Sequence, residues 1–339
     1  MVIVSFLGYE IPTVMAWGST VVFLGGALAF AFVRGMFGFV VKRILEAIFV
    51  VWVIASMTFL LLRVLPGGPF DSEKALPAEV LENLNKKYRL NEPLLVQYGD
   101  YMTGLMHGDL GQSYKYISRG ITPILLESLP NSVQLGVYSL LIAYLIGIPI
   151  GVIAGWKRGS PMDFMSMTAA ISGQSLPSFL VAPIFILIFA KWLGWFEPAL
   201  WAGPAYYVIP MVVLGIRPAG VIARLTRASV LEVIHSDYIR TARAKGLDSR
   251  TILFKHVLRN SLIPVLSLSG PLAAGLLTGS FVIEQIFAIP GIAKHLIQSV
   301  SNRDYPLILG TTLVFSAILV IANLITDLII AVVDPRVKL

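Results

Sequence analysis

The chain has 339 residues, 56% of them hydrophobic and 13% charged, with a mean hydropathy of +0.80. A soluble globule carries about twice that charged fraction, so the composition describes a polytopic, all-α membrane protein. Cysteine is absent, which excludes disulfides, thiol catalysis and cysteine metal sites; the net charge of +7 fits basic loops on one membrane side better than nucleic-acid binding.

Apolar runs suited to crossing about 30 Å of hydrocarbon lie near 12–33, 44–65, 133–155, 164–190, 207–224, 263–284 and 306–331. Within residues 1–33 the one charge is Glu10, and no basic stretch leads the run, so a cleaved signal peptide is not expected. Residues 1–35 read either as an extra span or as a mis-start upstream of Met36, whose sequence MFGFVVKRILEAIFVV suits the opening of a six-span protein. Residues 36–65 form the first core span, 66–131 an external region, and 132–339 the remaining membrane core.

The external region opens on a Gly/Pro turn, LPGGPF, and continues into an amphipathic helix with Val80, Leu81, Leu84 and Tyr88 on one side. Acids slightly outnumber bases there, and the length suits a cap or docking platform rather than a catalytic domain.

Basic residues mark the other side. Arg34, Lys42 and Arg43, then Lys157 and Arg158, then the Arg224–Arg259 stretch, and finally Arg336 and Lys338 share one face if every span crosses. That face and the C-terminus are expected in the cytoplasm, with the N-terminus outside.

Several spans carry proline: Pro149, Pro177, Pro183, Pro210, Pro218, Pro264 and Pro271. Kinked helices are tolerated in lipid where neighbours or water satisfy the freed backbone groups. The stretch Ser172–Ser178, with Ser175 and Ser178, is either small-residue helix glue or the lining of a polar pathway. Of the charges near or within spans, Arg63 is placed to snorkel outward, Glu46 and Asp327 lie towards span ends, and Glu284 sits where a span meets the outer loop. Arg217, roughly mid-span beside Pro218, either lines a substrate path or neutralises an internal acid such as Asp327.

The polar stretch HSDYIRTARAKGLDSRTILFKHVLRN, within the segment 229–262, is the most informative. Ser236 suits an N-cap, Asp237 the first turn, and Ile234, Tyr238 and Ala242 fall on one stripe. Arg243 and Lys245 fall in the last turn and Gly246 at the C′ position. Asp248 or Ser249 then caps a second helix carrying Ile252, Leu253, Val257 and Leu258. Two short helices around a glycine turn, on a basic face, make a docking element for a soluble partner.

Other chemistry is missing. His107, His235, His256 and His295 have no ligand spacing, and neither GxSxG nor GxxxxGK[ST] occurs. Any nucleotide hydrolysis that drives this chain belongs to another polypeptide.

The stretch YIRTARAKGLDSRTILFKHVLRNSLIPVL resembles the cytoplasmic coupling motif of permease subunits of binding-protein-dependent ABC importers. RVLPGGPF, LNEPLLVQYGDYM, HGDLGQSYKY, GIPIGVIAG, SLPSF, ARLTRASVLEVIHSDYIRTARAKG, IEQIFAIPGIAKHLI, NRDYPL and DPRV extend the likeness from Val41 onward. It falls within the dipeptide/oligopeptide branch, on the side of its B-type subunit. Arg240, Thr241 and Ala242 stand where the general motif has Glu-Ala-Ala, and Arg259 follows Leu258 where proline is usual; both departures match the peptide branch. Ala293 replaces a glycine of the outer PGIG-like segment, which puts the geometry of that turn in question.

The resemblance implies a type I importer permease with six core spans. It pairs with a second homologous permease, two ATPases that use ATP and magnesium, and an external binding protein that delivers peptide. The coupling segment then comprises Asp237, Arg240, Thr241, Ala242, Arg243, Lys245, Gly246, His256, Leu258 and Arg259, and Ser175, Ser178 and Arg217 are the candidate path residues. Dipeptides, nickel chelates, antimicrobial peptides and opine-like solutes remain open as cargo beside oligopeptides. An ion-driven carrier should show internal acid or histidine relays, and a channel should show charge rings; neither is evident.

Overall fold

The computed structural model describes residues 37–65, 67–70, 77–116 and 119–333. The expected span near 12–33 lies outside them. Among the described residues the structure is helical, with one isolated bridge between Gln112 and Gly120. They fall into two compact units. One takes Val40–Pro130 with Gly291–Ala317; the other is built on Asn131–Pro290 with Ile318 onward.

The first unit contains α1 (Phe37–Val64), α2 (Ala78–Lys87) and α3 (Leu94–Met106). Near the start of α1, Glu46 pairs with Lys42 at 4.0 Å and Arg43 at 3.5 Å, and at its end the Arg63 guanidinium lies 5.1 Å from the Phe59 ring centre. Both charges thereby find partners on their own helix. On α2, Leu81, Leu84 and the following Tyr88 are half-buried as expected, whereas Val80 is exposed.

Helix α4 (Ile121–Trp156) begins well before the apolar run predicted at 133. Its first turns belong to the core of the first unit, in which Ile121, Ile124 and Leu125 pack on Ile292 and Leu307. Phe59 and Leu62 pack on Tyr305, Ile308 and Leu309, at the start of α14 (Tyr305–Val333). Buried Asp304 fixes this corner: it accepts from the Ser113 hydroxyl and, at 3.0 Å, from the Tyr114 N–H.

The second unit is centred on α7 (Pro204–Ile234), whose Ile209, Val213, Ile222, Ala223 and Val230 are at most 1% exposed. Small residues bring α4 against it. A Cβ added at Gly147 or Gly151 would lie 2.7 or 2.4 Å from the carbonyl oxygens of Ala219 and Ala223. Such close backbone approach is a standard means of helix association where lipid removes the hydrophobic drive.

The run expected at 164–190 is not one straight helix. It divides into α5 (Pro161–Ser175) and α6 (Ser178–Phe185), which continues as a π-helix at Ile186–Trp192, with a 104° bend at Leu176–Pro177. Pro177 is extended, with ψ 134°, and Pro183 removes a further N–H inside α6. With this bent pair counted as one, the described residues hold six segments apolar and long enough to cross a membrane.

The span at 263–286 also carries a break, between α11 (Ile263–Leu277) and α12 (Phe281–Ile286), at Gly279 with φ +79°. Glu284, in the first turn of α12 and two residues before the end of this candidate span, is 1% exposed and accepts from the Ser132 hydroxyl at 2.6 Å, so this span-end acid is an internal group. In the following segment Ala293 takes helical geometry as the first residue of α13 (Ala293–Ser301). The left-handed position there is Ala288 (φ +52°), so alanine at 293 costs the turn nothing.

Candidate functional site

The polar stretch folds into α8 (Asp237–Ala244), then α9 (Ser249–Thr251), a π-turn at Ile252–Val257 and α10 (Leu258–Ser261). Ser236 holds the N-cap position, but its hydroxyl donates back to the Val233 carbonyl at 2.6 Å instead of capping. That contact, with the Ser236 N–H to Val233 O bond of 3.1 Å, makes the joint to α7 tight.

The break at Ser236 resets the helical phase. Ile234 therefore belongs to α7, and the buried pair on α8 is Ile239 with Ala242, not the stripe through Tyr238. Tyr238 is 43% exposed, and its hydroxyl accepts from Asn260 Nδ2 at 2.7 Å. Ile239 and Ala242 form a core with Val230, Ile252 and Val257, flanked by Val152 and Trp156 of α4. Burying Ile239, Ile252 and Val257 stabilises this seat by about 1.5–3 kcal/mol each.

At its far end α8 closes with a Schellman pair. The Gly246 N–H reaches Arg243 O at 3.0 Å, and the Leu247 N–H reaches Ala242 O at 3.3 Å. Gly246 has φ +76°. Asp248 caps α9, accepting from the Arg250 and Thr251 amides at 3.1 Å each, and hydrogen bonds from Thr251 hold its pKa below the usual value.

The outer surface of this element is basic with apolar points. Arg240, Thr241, Arg243, Lys245, Arg250, Lys255 and Arg259 are exposed, as are Tyr238, Leu247 at 41% and Phe254 at 67%. His256 and Leu258 are half-buried and belong to the element's flank. Phe254, within the π-turn, was not among the apolar residues expected on the second helix, and no local signal marks it as a surface aromatic.

The three path candidates all lie in the second unit, Ser175 at the end of α5, Ser178 beyond the bend and Arg217 on α7. Gly173 of α5 abuts Ile216, and Gly220 abuts the Ala170 carbonyl and Gln174, so the polar end of α5 runs beside Arg217. Ser175 is exposed with its hydroxyl donating to Ile171 O at 2.8 Å, and Ser178 is half-buried. Arg217 is exposed, and no ion pair joins it to Asp327. A different arginine is neutralised internally. Arg227 makes a two-bond contact with Asp163, Nε to Oδ1 at 2.7 Å and Nη2 to Oδ2 at 2.8 Å.

No cluster of three or more metal-binding side chains occurs among the described residues. The first unit holds a cleft of about 280 Å³ beside Arg63, Lys87, Arg89, Asp100, Tyr101 and Tyr114. Its charges are largely self-satisfied, Arg89 meeting Asp100 at 2.5 Å.

A set of apolar spans that seats a basic two-helix element against its most enclosed helix is the architecture of a membrane-embedded subunit with a surface for a soluble partner. The chain belongs to the family of binding-protein-dependent transport system inner membrane components, whose model matches residues 147–339, while the family's N-terminal model matches 36–142. It is 42% identical over 305 residues to the oligopeptide transport system permease protein OppB of Salmonella typhimurium, covering 89% of this chain and 100% of that one. It is also 42% identical over 301 residues to the dipeptide transport system permease protein DppB of Bacillus subtilis, covering 89% and 98%. A solved inward-facing structure of the MetNI methionine ABC transporter superposes with a TM-score of 0.52 at 20% identity, over 62% of this chain and 96% of that chain, and shows the shared permease fold.

Proposed function

We propose that this chain forms half of the translocation pathway of an ATP-driven peptide importer and couples to a partner ATPase through α8. The observation that carries the reading is how α8 is held. Its Ile239–Ala242 side is locked into α7 and α4, while Arg240, Arg243 and Lys245 remain open to a partner. A helix fixed so firmly on one side transmits displacement instead of absorbing it, so closure of the ATPases tilts α7 between inward- and outward-facing states.

The peptide cargo is supported by the permeases OppB and DppB, to which the chain is similar over 89% of its length. A second homologous permease completes the path, and an external binding protein delivers the peptide. ATP and magnesium are used by the ATPases. The basic loops and the C-terminus face the cytoplasm, and the 66–131 region faces outward. The test is purification of the assembly from membranes, with ATP hydrolysis measured as peptide-loaded binding protein is added. Stimulation by the loaded protein is expected; a chain that purifies without an ATPase sinks the reading.

A further inference from the structure

Two arginines share the open stripe of α7. Arg217 and Arg224 are both exposed, with half-buried Val221 between them and exposed Ala228 one turn on. The helix is otherwise enclosed: Gly215, Pro218, Ala219, Gly220, Ile222, Ala223 and Thr226 are all buried. Neither guanidinium makes a hydrogen bond, ion pair or ring contact with any described residue, in contrast to Arg227 and its carboxylate.

Arg224 by itself could extend to lipid headgroups. Arg217 lies seven residues further in, about 10 Å along the axis at 1.5 Å per residue, where an unpaired charge facing hydrocarbon is costly. A stripe that carries both is therefore a wetted surface. The exposed residues Ser172 and Ser175 of α5 add hydroxyls on the segment that runs beside Arg217.

We propose that Arg217 and Arg224 form an anion track on the aqueous side of α7, and that its ligand is the free terminal carboxylate of the translocated peptide. The assignment rests on the peptide-importer reading above. Cargo of varied side chains shares only its backbone and its termini, and the carboxylate is the anionic handle among these. A guanidinium meets a carboxylate with two parallel hydrogen bonds and a fixed geometry, which ammonium groups do not supply. Two such groups about 10 Å apart let the carboxylate pass from one to the next without a deep single trap.

Because the chain has no cysteine, Val221→Cys places a single thiol between the two arginines. In the assembled importer, nucleotide-free and trapped with ATP, this thiol is treated with a negatively or a positively charged water-soluble thiosulfonate and read on this chain by mass spectrometry. In at least one state the anionic reagent should react about tenfold faster, the size expected for two nearby positive charges under partial screening. The ratio should fall towards one when both arginines become glutamine. Millimolar tri-alanine should slow the anionic reagent severalfold, and tri-alanine amide should not. A thiol inert in both states means the stripe is covered by lipid or by an acid of the second permease, and overturns the proposal. Equal rates for the two reagents, or equal protection by the amide, also overturn it. These rates do not depend on α8 docking, so a failure here is distinct from an importer that does not retain its ATPase.

Discussion

Asp163 and Arg227 hold α5 to α7 through two parallel hydrogen bonds of 2.7 and 2.8 Å, with the Gly159 N–H adding a third to the same carboxylate at 3.0 Å. Arg227 lies one turn before Val230, which is itself in the core that seats α8. Its side chain is 30% exposed and that of Asp163 8%, so breaking the pair from the arginine side leaves a buried carboxylate without its counter-charge, held by the Gly159 N–H. Arg227→Ala should cost about 3 kcal/mol, seen as a lowered unfolding midpoint in detergent. Arg227→Lys should recover part of this but lose the two-bond geometry. An unchanged midpoint in Arg227→Ala would show that the pair contributes no stability.

Gly246 is required for its backbone and not for space, since nothing lies within 4 Å of an added Cβ. With φ +76°, Asn should be tolerated and Ala should cost about 1 kcal/mol. Proline, fixed near −65° and lacking the N–H that reaches Arg243 O, should disrupt the Schellman closure. Gly246→Pro should therefore abolish peptide uptake while ATP hydrolysis and membrane insertion persist. Wild-type uptake in that variant would contradict a lever role for α8.

The α4–α7 contact makes an opposite pair of predictions for two glycines. A Cβ at Gly151 would lie 2.4 Å from Ala223 O and 2.5 Å from Thr226 Cβ, so Gly151→Ala must push the helices apart, at about 1–3 kcal/mol. Gly275 on α11 meets nothing within 4 Å, so Gly275→Ala should be neutral or stabilising by about 0.5 kcal/mol. Thermal unfolding of the two variants side by side checks both.

His295 gives the first unit a pH dependence. Its Nε2 lies 2.9 Å from the buried Ser128 hydroxyl, and its Nδ1 is buried with no hydrogen-bond partner among the described residues. Burial, with Lys294 and Arg119 nearby, pushes its pKa down from 6.5 to about 4. The unfolded chain thus takes up a proton near 6.5 while the folded one stays neutral, so stability is full above that pH and falls towards about 4. Melting between pH 7.5 and about 5.5, above the main carboxylate range, should show the decline, and His295→Gln should flatten it. A slope unchanged in His295→Gln would assign the effect to another group.

Span positions and the two-helix basic element were legible because they rest on local signals: long apolar runs, Asp237 in a first turn, Gly246 after a last one. Tertiary relations were not. Ile239 replaced Tyr238 as the buried residue because the joint at Ser236 shifted the phase by one position, which no periodicity count across the break detects. The 104° bend at Leu176–Pro177 was hidden inside a continuous apolar run, although Pro177 marked its place. Arg217 stood out from the sequence, but the contrast with paired Arg227 depends on which face of α7 is covered. Arg224 was legible as the first residue of the basic stretch, but its place on one stripe with Arg217 depends on a single helix running from Pro204 to Ile234 across the end of the apolar run.

Coupling through α8 is tested most directly by proximity. In this cysteine-free chain Arg240→Cys places one thiol on the exposed face of α8, where the arginine side chain is 82% accessible. With ATPases bound, the thiol should be shielded from a water-soluble maleimide and should form a short cross-link to the ATPase; stripping the ATPases should restore labelling. Equal labelling in both preparations, with no cross-link formed, would contradict the account.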